Sequence, residues 1–112
     1  MKFAITIDDK SYAIDSSSIV EIIPLVQLHN AKQQNSAIAG EMNYRGNVLP
    51  VIDLCMLFSN RPHQKKFSTR ILVIQLEDRM AGLIAERLTD LSPVEAKDSQ
   101  NLDLNTLVTQ CL

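Results

Sequence analysis

The stretch GEMNYRGNVLPVIDLCMLF, Gly40 to Phe58, is the most patterned run of the chain and decides how the rest is read. It predicts a strand, a tight turn, a second strand and a short helix. Gly46 follows Asn43-Tyr44-Arg45 and precedes Asn47, so a residue free to take positive φ stands where the chain must reverse. Val48 to Leu54 is almost wholly apolar, rich in β-branched residues and too short for an unsupported helix, which predicts a strand. Pro50 removes one backbone donor and restricts that strand to a sheet edge, a bulge or a barrel closure. Asp53 stands in the N-cap position ahead of Leu54-Cys55-Met56-Leu57-Phe58.

Upstream, Phe3, Ile5 and Ile7 alternate with Ala4, Thr6 and Asp8. Asp8-Asp9-Lys10 is a turn signal, and Ser11 to Asp15 carries a second strand, so the N-terminus predicts a β-hairpin. Ser18 stands three residues before Glu21, the spacing of a capping box. The β-branched, proline-broken run Ile22 to Val26 limits any helix there to one turn leading into a strand. His29 to Ala37 is polar and predicts a loop.

Downstream, Asn60 to Ser68 (NRPHQKKFS) is a basic, proline-bearing connector. Arg70 to Glu77 is apolar on both alternating faces, which predicts a central strand. Glu77-Asp78-Arg79 turns the chain, and Met80 to Ala85 returns, with Gly82 as a bulge or a close backbone approach. Glu86 to Leu91 leads to Pro93. Leu104, Leu107, Val108 and Cys111 form the apolar stripe of a last helix capped by Asp103.

The two halves resemble each other. A shift of 69 (74 − 5) lays Ile5-Thr6-Ile7-Asp8-Asp9-Lys10 over Ile74-Gln75-Leu76-Glu77-Asp78-Arg79, and pairs Ile14 with Leu83, Ile19 with Leu88 and Glu21 with Asp90. Nearer the C-terminus a shift of 50 (102 − 52) lays Ile52-Asp53-Leu54 and Leu57 over Leu102-Asp103-Leu104 and Leu107. The second copy is therefore shorter by 19 residues (69 − 50) between its hairpin and its closing helix. A repeat of short strands implies two similar β units packed on each other, the second abridged.

The chain has 112 residues, 46% of them hydrophobic and 21% charged, which suits one globular unit over 1–112. Its net charge of −2 argues against a nucleic-acid binder acting through a broad basic surface. No apolar run reaches the roughly 18 residues of a membrane span, and MKFAITIDDK lacks the apolar block of a signal peptide. Cytoplasmic residence is the expectation. Cys55 and Cys111 are accordingly read as reduced, at least partly buried thiols.

Gly40, Asn43, Arg45, Gly46, Pro50, Asp53 and Leu54 match, in order and spacing, the pattern of the CheW-like family: Gly, Asn-x-Arg-Gly, Pro-Val-x-Asp-Leu. The chain resembles that family over most of its length. The resemblance implies a mainly β fold of two small SH3/OB-like barrels sharing a core, with short helices, approximately 10–60 for the first barrel and 1–9 with 61–112 for the second. The chain departs from the family between Val94 and Asn101, where VEAKDSQN replaces a strand, a turn and another strand. A truncated second barrel implies an open sheet edge, for which a homodimer is one cover.

No enzymatic motif emerges. His29 and His63 lie in polar loops with no ligand-spaced Cys, Asp or Glu, so both read as exposed loop histidines and no metal is expected. Phosphate loops, nucleophile elbows and His-Glu-x-x-His are missing. The acidic pairs Asp8-Asp9 and Glu77-Asp78 fall at hairpin turns, where water opposes the pKa separation that acid–base work needs. Neither a cofactor nor catalysis is expected.

Arg45 has three readings from its position alone: a solvated turn residue, a fork that ties the hairpin down, or a contact for a partner helix. The resemblance implies the third, and implies partner contacts also at Glu21, Gly40, Asn43 and Val20; Val20 and Val48 read either as lining the groove between barrels or as core. For Gly40 a structural reading competes. What the resemblance implies functionally is an adaptor that couples the cytoplasmic tip of a methyl-accepting chemoreceptor to the regulatory domain of a CheA-type histidine kinase. The alternative is a small-barrel binding module in a divergent signalling system.

Overall fold

The computed structural model describes residues 2–31, 35–66, 68–91 and 100–111. Two tight turns set its hairpins. At Asp8-Asp9 φ is 51° and 67°, and at Arg45-Gly46 it is 49° and 85°. Paired positive φ angles at two central residues match the right-handed twist of flanking strands. The first turn joins β1 (Lys2–Ile7) to β2 (Lys10–Asp15), and the second joins β4 (Ile38–Tyr44) to β5 (Asn47–Asp53). Between the hairpins a 3-10 turn, Ser16–Ser18, leads into β3 (Ile19–Pro24). Asp15 caps that turn by accepting from the Ser17 N–H at 3.0 Å. The cap is thus three residues earlier than the Ser18 of the expected capping box, and Glu21 already lies in β3.

Helix α1 (Leu54–Ser59) follows β5 directly. Then come β6 (Arg70–Gln75), β7 (Met80–Ala85), β8 (Arg87–Leu91), β9 (Gln100–Asn101) and α2 (Leu104–Cys111). The sequence did not signal β8, whose polar residues show little alternation. Pro93 and the VEAKDSQN departure lie outside the described residues, except for Gln100 and Asn101, which form β9.

The strands form two sheets, ordered β8-β1-β2-β9 and β3-β6-β7-β5-β4. The five-stranded sheet curls until the chain beyond β3 meets β4, where the backbones of His29 and Glu41 exchange two hydrogen bonds of 2.8 Å. Pro50 fits because β5 pairs with β7 only from Val51 onward and has β4 alone beside it before that. The two-residue turn at Asp8-Asp9 holds β2 to β1 in the smaller sheet, and β6 and β7 join β3, β4 and β5 in the larger.

The repeat is visible in the strand registers. Ile5 faces Tyr12 in the first hairpin, and 69 residues later Ile74 faces Ala81 in the second. The third strands are exchanged: β3 pairs with β6 of the other copy, Ile19 facing Ile74, while β8 pairs with β1, Leu88 facing Ile5. The parallel contacts repeat as well, Val51 beside Gly82 and Asn101 beside Ala13. One difference is a bulge at Val20 in β3, which shifts the register between Ile19 and Glu21.

Exchange explains the core. Ile71 and Val73 of β6 face the interior of the curled sheet with Met42, Tyr44, Leu49, Val51 and Ile84. Leu72 and Ile74 face the opposite way, against Ile5, Ile7 and Ile14 of the smaller sheet and Leu104, Leu107 and Val108 of α2. The central strand expected from the sequence is observed, between β3 and β7. Gly82 makes a close approach rather than a bulge: a Cβ there would lie 3.1 Å from Ile71 and 3.2 Å from Val51. Cys55 and Cys111 are unpaired and buried, and burial pushes both thiols above their ordinary range.

Asp53 ties these parts together. Its Oδ1 accepts from Cys55 N–H at 3.0 Å and Met56 N–H at 3.3 Å, capping α1. Its Oδ2 accepts from His63 N–H at 2.9 Å and lies 2.9 Å from His63 Nδ1. His63 is therefore not the exposed loop residue expected, because a buried carboxylate needs donors and the connector supplies them. Asp53→Ala removes the cap and strands these donors. We expect a loss of about 3 kcal/mol, read from urea unfolding, against a smaller loss for Asp53→Asn.

Three aspartates sit below the usual carboxylate range: Asp8 through hydrogen bonds from Ser59 and Arg61, Asp15 through Ser17, and Asp103 through Thr106. A depressed folded pKa stabilises fully above the unfolded value, about 4, and that share is lost as pH falls through the lower folded value. Their contribution should be constant from pH 7 to 5 and fall away below about pH 4. Urea midpoints at pH 7, 5 and 3 for wild type and the Asp8→Asn, Asp15→Asn and Asp103→Asn variants measure it, the variants' deficit shrinking at pH 3.

Candidate docking surface

The rim of the curled sheet, where β3 meets the β4–β5 hairpin, gathers three polar side chains from distant positions. Tyr44 ends β4 with its ring in the core cluster and its hydroxyl at the rim. That hydroxyl donates to Glu21 Oε1 at 2.5 Å. Arg45, next in the chain and left-handed at φ 49°, donates from Nη2 to the same Oε1 at 3.1 Å. Its Cζ also lies 5.1 Å from the Tyr44 ring centroid, within cation–π range. The Glu21 carboxylate, to which Tyr44 donates, raises the phenol above the usual tyrosine range.

Glu21 and Arg45, singled out in the sequence 24 positions apart, are thus brought together. Their side chains remain 40% and 72% exposed, so the pair is open to a partner. Asn43 serves the turn: its Oδ1 accepts from Gly46 N–H at 3.1 Å. Gly40 is buried in β4 beneath the His29 bridge, where a Cβ would lie 2.5 Å from His29 O and 2.7 Å from Leu28 Cβ. Its role in this geometry is to let the curl close. Val20, at the bulge, is exposed, as is Val48, which faces Asn43 across the hairpin.

A groove of about 200 Å³ between the two sheets is lined by Ile22, Ser68, Arg70, Arg87 and Leu88. Val20 and Val48 are not among those lining residues. Sequence reasoning missed Tyr44, since its ring reads as a core residue and its acceptor is set by the seam. Ile22 was legible only as part of a β-branched run.

Two further clusters of polar groups can be followed among the described residues. A polar cleft of about 300 Å³ holds Asp8, Cys55, Arg61, Lys66 and Glu86 among its walls. Four of its charges pair off, Arg61 with Asp8 at 2.8 Å and Lys66 with Glu86 at 3.8 Å. The Cys55 thiol is pushed away from its nucleophilic form. Among the described residues, no three His, Cys, Asp or Glu side chains gather to hold a metal.

Two exchanged β units packed around two apolar clusters, with a charged hairpin at the rim, define a small β scaffold. The chain belongs to the CheW-like domain family, whose model matches residues 3–110. It is similar to "Chemotaxis protein CheW" of Helicobacter pylori, 32% identical over 92 residues, which cover 82% of this chain and 56% of that protein. The protein of the same name from Klebsiella aerogenes is 25% identical over 92 residues, covering 82% and 55%. The chain spans little more than half the length of these curated relatives. Its fold is like that of the scaffolding protein TtCheW from Thermoanaerobacter tengcongensis, with a TM-score of 0.75 at 24% identity, covering 86% of this chain and 66% of that one.

Because a methyl at position 40 collides with backbone, Gly40→Ala should open the seam rather than only trim a contact. We expect a loss of about 2 kcal/mol in urea unfolding, with faster hydrogen exchange at the His29 and Glu41 amides. Unchanged stability with weakened partner binding would instead make Gly40 a contact residue.

Proposed function

We propose that the chain is a non-catalytic adaptor of chemotaxis-type signalling, coupling the cytoplasmic tip of a methyl-accepting chemoreceptor to the regulatory domain of a CheA-type histidine kinase. The observation that carries this reading is the Arg45–Glu21 pair, held at the exposed rim of a family scaffold. Family membership and the names of the relatives support the chemotaxis setting. A rigid guanidinium offers its remaining N–H groups to carboxylates or helix-end carbonyls of a partner. The groove beside Ile22 and Leu88 is apolar at its walls and flanked by Arg70 and Arg87, which suits an amphipathic helix hairpin with acidic edges. Such contacts are small, and small contacts suit an assembly that must switch. This reading places the protein in the cytoplasm. No described helix is long and apolar enough to cross a membrane.

Calorimetry with the kinase regulatory domain and a receptor-tip fragment from the same organism tests it. Wild type should bind at least one of them. Arg45→Ala should weaken that binding by about tenfold or more, and Glu21→Lys further, while either shifts the melting temperature by only about 2 °C. Binding by Arg45→Ala equal to wild type, or no binding by wild type to either fragment, would sink the proposal.

A further inference from the structure

The geometry points to Tyr44 as a positioning residue that holds the Glu21–Arg45 pair in its binding geometry; this inference rests on the docking role proposed for Arg45. An exposed ion pair is ordinarily loose, because two long side chains lose rotamer freedom for little Coulomb gain in water. Here three features remove that freedom. Glu21 Oε1 is claimed by the Tyr44 hydroxyl at 2.5 Å before Arg45 adds its own 3.1 Å contact. The Tyr44 ring is itself packed in the core, buried with Met42, Leu49 and Val51 inside the curled sheet. The guanidinium lies 5.1 Å from that ring, so one side chain both anchors the acceptor and faces the donor.

The backbone restricts Arg45 in the same way. Its left-handed φ of 49° is held by the turn, which Asn43 closes through Gly46. Arg45 therefore leaves the core at a defined point, and Tyr44 and Glu21 define where its guanidinium goes. The share of its donors not spent on Oε1 is presented to a partner already oriented, which lowers the ordering cost of binding. The partner group this fits is a carboxylate or a cluster of carbonyls that takes a guanidinium from the solvent side.

Tyr44→Phe isolates the hydroxyl, since it keeps the ring, its packing and the cation–π face. Two measurements on this variant decide the matter. In the free protein, the ordered Arg45 Nε–Hε signal of wild type should become mobile by NMR relaxation. In calorimetry with the fragment that wild type binds, Tyr44→Phe should weaken affinity about 3- to 10-fold at an unchanged melting temperature. In an Arg45→Ala background it should have no further effect. Arg45 order equal to wild type would overturn the proposal, as would affinity losses that simply add in the double variant. If Arg45→Ala binds normally, the docking reading falls and takes this one with it. If Arg45→Ala weakens binding and Tyr44→Phe does not, only the role of Tyr44 falls.

Discussion

Strands β6 and β7 are apolar on both faces, and each face must be kept from water. Burying such a hairpin takes two covers, one per side. The larger sheet supplies the first by curling over its own interior, closing where His29 meets Glu41. The smaller sheet and α2 supply the second. Strand exchange between the halves follows from the same need. When β3 leaves its own hairpin for β6, and β8 returns to β1, the two units cannot separate without breaking both sheets.

This arrangement determines what is left for contact. A curl has a seam, and seams are closed here by three means: a pair of backbone hydrogen bonds, a glycine that lets backbones touch, and the Tyr44–Glu21–Arg45 cluster. The first two are made through the backbone and belong to the fold. The third is exposed, and exposed pairs add little to stability. It can therefore engage a partner without unsettling the core beneath it. The separation is physical: Tyr44 crosses from one regime to the other, its ring in the core and its hydroxyl at the rim.

Much of the local structure was legible because it depends on neighbours in the chain. Gly46 as the turn residue and Asp53 as a helix cap were readable from a few residues each, and the predicted turn at Asp8-Asp9 is of the same kind. The 69-residue repeat was readable because hairpins of equal length preserve their registers. Other features were hidden. Asp15, rather than Ser18, caps the 3-10 turn, since the β-branched run claims Glu21 for β3. β8 shows no alternation of its own and exists because β1 offers it an edge. His63 reads as a loop histidine until the connector folds it onto Asp53.

Periodicity, turn chemistry and motif spacing made the mainly β class, the two-copy plan and the rim hairpin readable along the chain, whereas Glu21 and Arg45 stood out only through the family resemblance. Tertiary structure alone decided which copy each third strand joins, and which oxygen Tyr44 and Arg45 share. Those outcomes depend on closing a curled sheet around a core, and no pair of neighbouring residues carries that information.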